Sequence, residues 1–511
     1  QILNILREFK SKKSLSRKVI VVTGSPGSGK SILALAILIK AASDEFDITK
    51  SLLLTNHQYQ KDTLDGALNL EKNDYVSPKR KLSSNPVMDS VKFVKDFANN
   101  RKTKYSLRKE QKKLTGKAYI PQSEFNEYVS KWKDDYLKVI DKINPVNLIV
   151  CDESQALVDP SKPKVSDMGT GKKWSPAYGP QAWHIVMSSI ISIFFLDEKQ
   201  GYRQQERTLA EDIIDLAKKE KIDVFQFSLG NGQFRLNGGE SFVSWLDWEL
   251  GVDDNLIIIT PPAKDQIDDL KQVFSISDDP NEMRNRIKKL FETDKRCRLL
   301  AGYAWEWISF DKNELIDSQS RETSLNICFK WVDKKKQSEF NLGLDPYDNA
   351  EILFGEGSRN PATVAYPLTV RGCDFSHIGV FWGLDLVWRK NNWIIQLDYV
   401  YGNDNVPWVK LAKKEIESGE INGEGVQRLI FARACAYRIL LTRAMKTVRL
   451  WVEDDETREH LKQSWTKFLA LEHPLQRVKM DKLKQDKGND KKKKGIKVGL
   501  NDTKQTFLSE F

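Results

Sequence analysis

Cysteine is scarce in this chain: five residues, at positions 151, 297, 328, 373 and 435, none of them forming a CxxC pair. That scatter speaks against a disulfide scaffold or a zinc framework and suits a reducing, cytoplasmic setting. Histidine is equally rare, five residues without metal-ligand spacing. No apolar run approaches the ~20 residues that a membrane-spanning helix needs. The most apolar stretch, Ser31 to Ile39, is short and lies inside a motif that explains it. An initiator Met and a secretory leader are also missing, so Gln1 is expected to mark the edge either of an expressed segment or of a longer protein.

What is present is the composition of a globular protein, 40% hydrophobic and 30% charged. At 511 residues the chain is too long for one compact core, and two or three domains are expected. The net charge of +10 is unevenly spread. Residues 71–120 hold 14 Lys/Arg against 5 Asp/Glu, and residues 477–497 hold 10 against 3, which leaves the remainder mildly acidic. Two basic segments on such a body suit dedicated contacts to a polyanion. A solvated loop and a disordered tail would account for them equally well.

Short apolar strands alternate with helical stretches. Val19–Val22 runs into a glycine loop and then into a helix from Ser31 to Lys40; Ser51–Thr55, Asn147–Cys151 and Ile193–Leu196 follow. Val224–Phe227 is read as the strand that opens a second lobe, and Asn255–Ile259, Arg298–Leu300, Ile378–Phe381 and Val448–Trp451 repeat the pattern. The expected fold class is α/β, with two parallel-sheet lobes. The first lobe spans 15–222 after a linker or helix at 1–14, and carries a basic helical insertion at about 72–135. The second spans 223–470, and a disordered basic tail covers 471–511.

Gly24-Ser25-Pro26-Gly27-Ser28-Gly29-Lys30-Ser31 fits G-x-x-x-x-G-K-[ST] at every position, with a strand before it and a helix after it. Glycines let backbone N–H groups wrap phosphates, and the helix N-terminus adds its dipole. Lys30 would sit on the β- and γ-phosphates of ATP, and Ser31 would ligate Mg²⁺. Such a loop needs a carboxylate at the end of a neighbouring strand, which Leu148-Ile149-Val150-Cys151-Asp152-Glu153 supplies. Asp152 is the candidate to hold Mg²⁺, and Glu153 the candidate general base for water. Cys151 and Cys373 occupy apolar positions and read as small core residues.

Asp152-Glu153-Ser154-Gln155 resembles motif II of superfamily 1 helicases, and further motifs follow in order. Leu54-Thr55-Asn56-His57 is similar to motif Ia, whose Thr55 and Asn56 would contact single-stranded DNA or RNA. Phe195-Leu196-Asp197-Glu198-Lys199-Gln200 resembles motif III, with Gln200 as the γ-phosphate sensor. Gln233-Phe234-Arg235, followed by Phe242 and Trp245, resembles motif IV, whose Arg235 would reach the γ-phosphate from the second lobe. Thr369-Val370-Arg371-Gly372-Cys373-Asp374-Phe375 resembles motif V, with Thr369 and Arg371 as nucleic-acid contacts. Tyr437-Arg438-Ile439-Leu440-Leu441-Thr442-Arg443-Ala444 is close to motif VI, and that resemblance makes Arg443 an arginine finger.

Arg298–Trp307 and Gly379–Leu386 narrow the resemblance to the Schlafen-type helicase group, over about residues 15–460. The resemblance implies that both lobes are RecA-like and that the chain is an ATP-dependent helicase or single-strand translocase, with an ATP-switched nucleic-acid-binding protein as the alternative. A P-loop kinase or signalling NTPase fits the doubled α/β pattern and the Arg443 block less well. A fused or associated nuclease or effector domain is the expected companion. The chain departs from the family pattern at motif V, where Arg371 and Asp374 replace Gln and Glu, and in having only Gln1 upstream to read an adenine edge. Fourteen tryptophans are many for this length. Trp305 and Trp307 could stack bases, but packing of the second lobe is the favoured reading.

Overall fold

The computed structural model describes residues 1–12, 16–43, 51–55, 87–90, 146–159, 180–201, 208–229, 239–252, 258–302, 367–370, 373–401 and 406–476, with isolated positions 45, 46, 48, 61, 64, 93, 236, 304, 305, 364 and 365. Most of the basic insertion expected at 72–135, and everything beyond 476, lies outside the described residues.

The first sheet has six parallel strands: β1 (Lys18–Thr23), β2 (Ser51–Thr55), β3 (Val87–Asp89), β4 (Val146–Cys151), β5 (Ser189–Leu196) and β6 (Asp223–Ser228), ordered β3-β2-β4-β5-β1-β6. β5 is buried along its whole length, as a central strand covered on both faces must be. Alternate side chains divide between the faces. Ile20, Val22, Leu53, Val150 and Ile193 pack with Ala34, Ile37 and Leu38 of the helix Lys30–Ala41, and with Ile5 and Leu6 of the N-terminal helix Ile2–Lys12. Val19, Val21, Ile149 and Phe194 face the helices Gln181–Ser188 and Ala210–Lys219.

One expected strand changes place. The segment read as opening the second lobe is β6, which pairs with β1 as an edge of the first sheet. Its half-exposed residues show why the sequence left its partner open: an edge strand has a weak apolar signature.

The second lobe begins at the helix Gly239–Leu250 and β7 (Ile258–Ile259). Its parallel sheet contains β8 (Phe274–Ser277), β9 (Cys297–Ala301), β10 (Val364–Ala365) and β11 (Phe375–Trp382). After the hairpin β12 (Leu386–Arg389) and β13 (Asn392–Ile395), β14 (Ala444–Val452) completes the order β10-β9-β11-β14-β8. Ile378, Val380, Val448 and Leu450 face the helices Gly239–Leu250, Glu424–Leu441 and Asp455–Leu469, and Phe381 and Trp451 face the helix Pro280–Thr293. The aromatics Phe242 and Trp245 are core residues, in ring contact with Phe274 and Trp465. β15 (Leu475–Gln476) pairs antiparallel with β7, so the segment read as tail from 471 begins as part of this lobe. Among the described residues no helix is long and apolar enough to cross a membrane.

Candidate active site

β1 leads into the loop Gly24–Gly29 and then into the helix Lys30–Ala41. Gly27 and Gly29 have φ of 79° and 81°. A Cβ makes that left-handed backbone unfavourable by roughly 1–2 kcal/mol, so the turn requires glycine. Lys30 is 7% exposed, and its Nζ donates to the carbonyl oxygens of Gly24 (2.8 Å) and Ser25 (2.7 Å). Ser25 Oγ and Ser28 Oγ are buried without a hydrogen-bond partner. A helix N-terminus, two buried hydroxyls and an ammonium folded over a glycine turn form a donor set that fits a polyphosphate.

In the sheet order β5 separates β1 from β4, and β4 delivers the acid pair from the far side. Asp152 is 1% exposed and is anchored through its N–H to Leu54 O at 2.9 Å. Its carboxylate accepts hydrogen bonds from the Ser31 hydroxyl and from Glu153 N, the latter at 3.0 Å. Burial, and after it the charge of Glu153, pushes the Asp152 carboxyl up to about 6; Ser31, Lys30 and the Glu153 N–H limit the rise. Ser31 and Asp152 thus face each other, as two residues that would share Mg²⁺ must.

Glu153 is buried and has φ 53° and ψ 42°, a conformation that costs a non-glycine residue energy and persists only where the surroundings hold it. The holding contact runs through Gln155, whose Nε2 donates to Glu153 Oε2 and whose Oε1 accepts from Asp197 N at 3.2 Å. Asp197 lies just past β5. Its Oδ1 accepts from Lys199 N (3.1 Å) and its Oδ2 from Gln200 Nε2 (3.0 Å). Burial alone would raise the Asp197 carboxyl. Arg438, followed by Lys30, Gln200 and the Lys199 N–H, outweighs it and holds the group below its ordinary range.

Arg438 comes from the second lobe. It is fully buried on the helix Glu424–Leu441, with Nη1 3.3 Å from Asp197 Oδ2 and with Nε and Nη2 on the carboxylate of Asp247, the Nη2 contact at 3.1 Å. Lys199 Nζ crosses the other way to Asp247 Oδ2 at 3.2 Å. Arg443 is also buried; its Nε donates to Ile439 O (3.0 Å) and its Nη2 to Thr442 Oγ1 (3.4 Å).

The structure therefore gathers Lys30, Ser31, Asp152, Glu153 and Gln200 around the loop Gly24–Gly29. Thr55 is fully buried at the end of β2. Asn56, Arg235 and Arg371, and the side chain of Thr369, lie outside the described residues. Trp305 packs against the cluster of Met283, Ile287 and Phe381, as the packing reading expects, whereas Trp307 lies outside. Cys151 and Cys373 are core residues. Sequence reasoning assigned no role to Gln155, Asp197, Asp247 or Arg438. A signal was available for Arg438, a cation directly before Ile439-Leu440-Leu441: a charge in so apolar a stretch needs a buried counter-ion.

A family model described as Schlafen group 3, DNA/RNA helicase domain, matches residues 17–454, from the start of β1 to beyond β14. No curated protein matches the chain.

Proposed function

The chain belongs to the Schlafen group 3 DNA/RNA helicase-domain family, and we propose that it is an ATPase motor of superfamily 1 type that couples hydrolysis to single-stranded DNA or RNA. The observation that carries this reading is the hydrogen bond between Ser31 and the buried Asp152 beside a P-loop whose lysine is folded back on Gly24 and Ser25. Lys30 would leave those carbonyls for the β- and γ-phosphates of ATP, a stronger acceptor for an ammonium. Ser31 and Asp152 would hold Mg²⁺. The two side chains supply two of the oxygen ligands, and phosphate oxygens and water would supply the rest. When bound, Mg²⁺ neutralises phosphate charge.

Glu153 is the base in this reading. Its carboxylate is positioned by Gln155, and it would take the proton of the attacking water. Gln200, oriented by Asp197, would sense the γ-phosphate. Arg443 and Arg235 would stabilise the charge that develops on the transferred phosphoryl group. Asn56, Thr369 and Arg371 are the proposed nucleic-acid contacts, whereas Thr55, fully buried at the end of β2, is not offered to a strand.

The test is steady-state ATP hydrolysis by the wild type and by Lys30→Ala and Glu153→Gln. Glu153→Gln should bind ATP and turn over at least about a hundredfold more slowly, the usual range for loss of a general base. A Glu153→Gln chain with wild-type turnover would remove Glu153 from the mechanism. The motif V departures Arg371 and Asp374 favour a second reading, an ATP-switched nucleic-acid-binding protein without processive unwinding. A strand-displacement assay run beside the ATPase assay separates the two.

A further inference from the structure

Four charged side chains meet where the two sheets' lobes touch, two from each. Asp197 and Lys199 follow β5 of the first lobe; Asp247 and Arg438 lie on the second-lobe helices Gly239–Leu250 and Glu424–Leu441. The pairs are crossed, with Arg438 on Asp197 at 3.3 Å and Lys199 on Asp247 at 3.2 Å. Arg438 is also bidentate on Asp247 within its own lobe, so one guanidinium holds both carboxylates. Arg438 and both carboxylates are at least nine-tenths buried.

Stability alone is a poor account of this arrangement. Desolvating two carboxylates and a guanidinium costs several kcal/mol per ion, which their mutual attraction roughly offsets, and well-packed apolar side chains would serve the fold as well. What an ionic contact adds is geometry, because it is satisfied in one alignment of the lobes. The carboxylate that Arg438 reaches is the one that orients Gln200: Asp197 Oδ2 accepts from Gln200 Nε2 and from Arg438 Nη1 together. Arg438 lies within the helix, whereas Arg443 lies beyond its end at Leu441, with its guanidinium on Ile439 O and Thr442 Oγ1 rather than on either carboxylate. Arg438 is thus distinct from the proposed arginine finger.

We propose that Arg438 is a positioning residue that couples the nucleotide site to the second lobe, acting through Asp197 on Gln200 and through Asp247 on the helix Gly239–Leu250. The coupling rests on the ATPase reading above. A γ-phosphate that draws Gln200 changes the load on Asp197. Arg438 carries that change to Asp247, and Lys199 returns it to the first lobe.

The test combines kinetics with a distance. Fluorophores are placed at exposed Lys219 in the first lobe and exposed Lys413 in the second, and the separation is read with and without a non-hydrolysable ATP analogue. Asp197→Asn leaves Arg438 its Asp247 partner and guards against misfolding; Arg438→Gln and Arg438→Lys complete the set. The expected result is that Asp197→Asn lowers kcat at least about tenfold with KM for ATP within about threefold, the pattern of an interaction expressed in turnover rather than in substrate binding. Its nucleotide-dependent distance change should be lost. The double variant Asp197→Asn/Arg438→Gln should be no slower than Arg438→Gln alone, and Arg438→Lys should recover part of the distance change.

A folded Asp197→Asn chain with wild-type kcat and distance response would overturn the proposal, as would losses that multiply in the double variant. A wild type that binds nucleotide and closes without hydrolysing it would sink the ATPase reading and leave the coupling supported by the distance alone. A wild type whose lobes do not respond to bound nucleotide would sink the coupling.

Discussion

At the residue scale, buried acids set the terms. Glu453 follows β14, accepts a hydrogen bond from Trp305 and has Oε2 buried without a partner. Burial first, and then Asp385 and Asp454, push its carboxyl up to about 7, opposed by Trp305. A folded-state value above the unfolded one means that the folded chain binds the proton more tightly. The cost of the charge is therefore absent below about pH 4.5, grows as pH rises and is complete above about pH 7. Glu453→Gln should raise stability at pH 8 by on the order of 2 kcal/mol and by little at pH 5, as read by denaturant unfolding at the two pH values. An equal gain at both would contradict the assignment. Asp152 obeys the same sign with the opposite consequence for function. Asp152→Asn should raise the Tm of the nucleotide-free chain while losing Mg-ATP turnover, and a variant that stays active would remove Asp152 from the site.

At the element scale, the helix Glu424–Leu441 matters most, because it carries Arg438 and ends beside Arg443. Its N-terminus is capped from another helix: Glu415 Oε1 and Oε2 accept from Gly425 N and Val426 N, each at 3.0 Å. Glu415→Ala removes both acceptors and should cost about 1–2 kcal/mol in urea unfolding, with the m-value unchanged. A midpoint equal to the wild type's would show that the cap contributes nothing. This scale also shows what the sequence made legible. Central strands such as β4 and β5 contain the apolar runs Leu148–Cys151 and Ile193–Leu196, which could be read directly. Edge strands could not: β6 was legible as a strand but not as a neighbour of β1, and β8, Phe-Ser-Ile-Ser, carries too little apolar signal to stand out. The hairpin β12–β13 turns on Lys390 and Asn391 at φ 50° and 62°, and lysine gives little sign of a left-handed turn.

At the scale of the whole molecule, two parallel sheets meet through charged groups that no single motif displays. The glycine turn and the Asp152-Glu153 pair could be read because each is a run of contiguous residues directly after an apolar strand. The contact of Arg438 with Asp197 was not, because its partners lie 241 residues apart and meet only once both lobes are folded. Arg443 tests the second lobe's part in the chemistry. Arg443→Ala should keep ATP binding and lose turnover by about a thousandfold, the lower end of the range for arginine fingers. ATP binding measured with a fluorescent analogue, beside single-turnover hydrolysis, checks both halves. Hydrolysis at the wild-type rate would confine the chemistry to the first lobe.

The central claim is that this P-loop hydrolyses ATP in response to nucleic acid, and steady-state hydrolysis with and without single-stranded DNA or RNA, with Lys30→Ala as the blank, tests it most directly. The account predicts turnover that a nucleic-acid strand stimulates and that Lys30→Ala abolishes. Turnover indifferent to every strand, or surviving in Lys30→Ala, would contradict it.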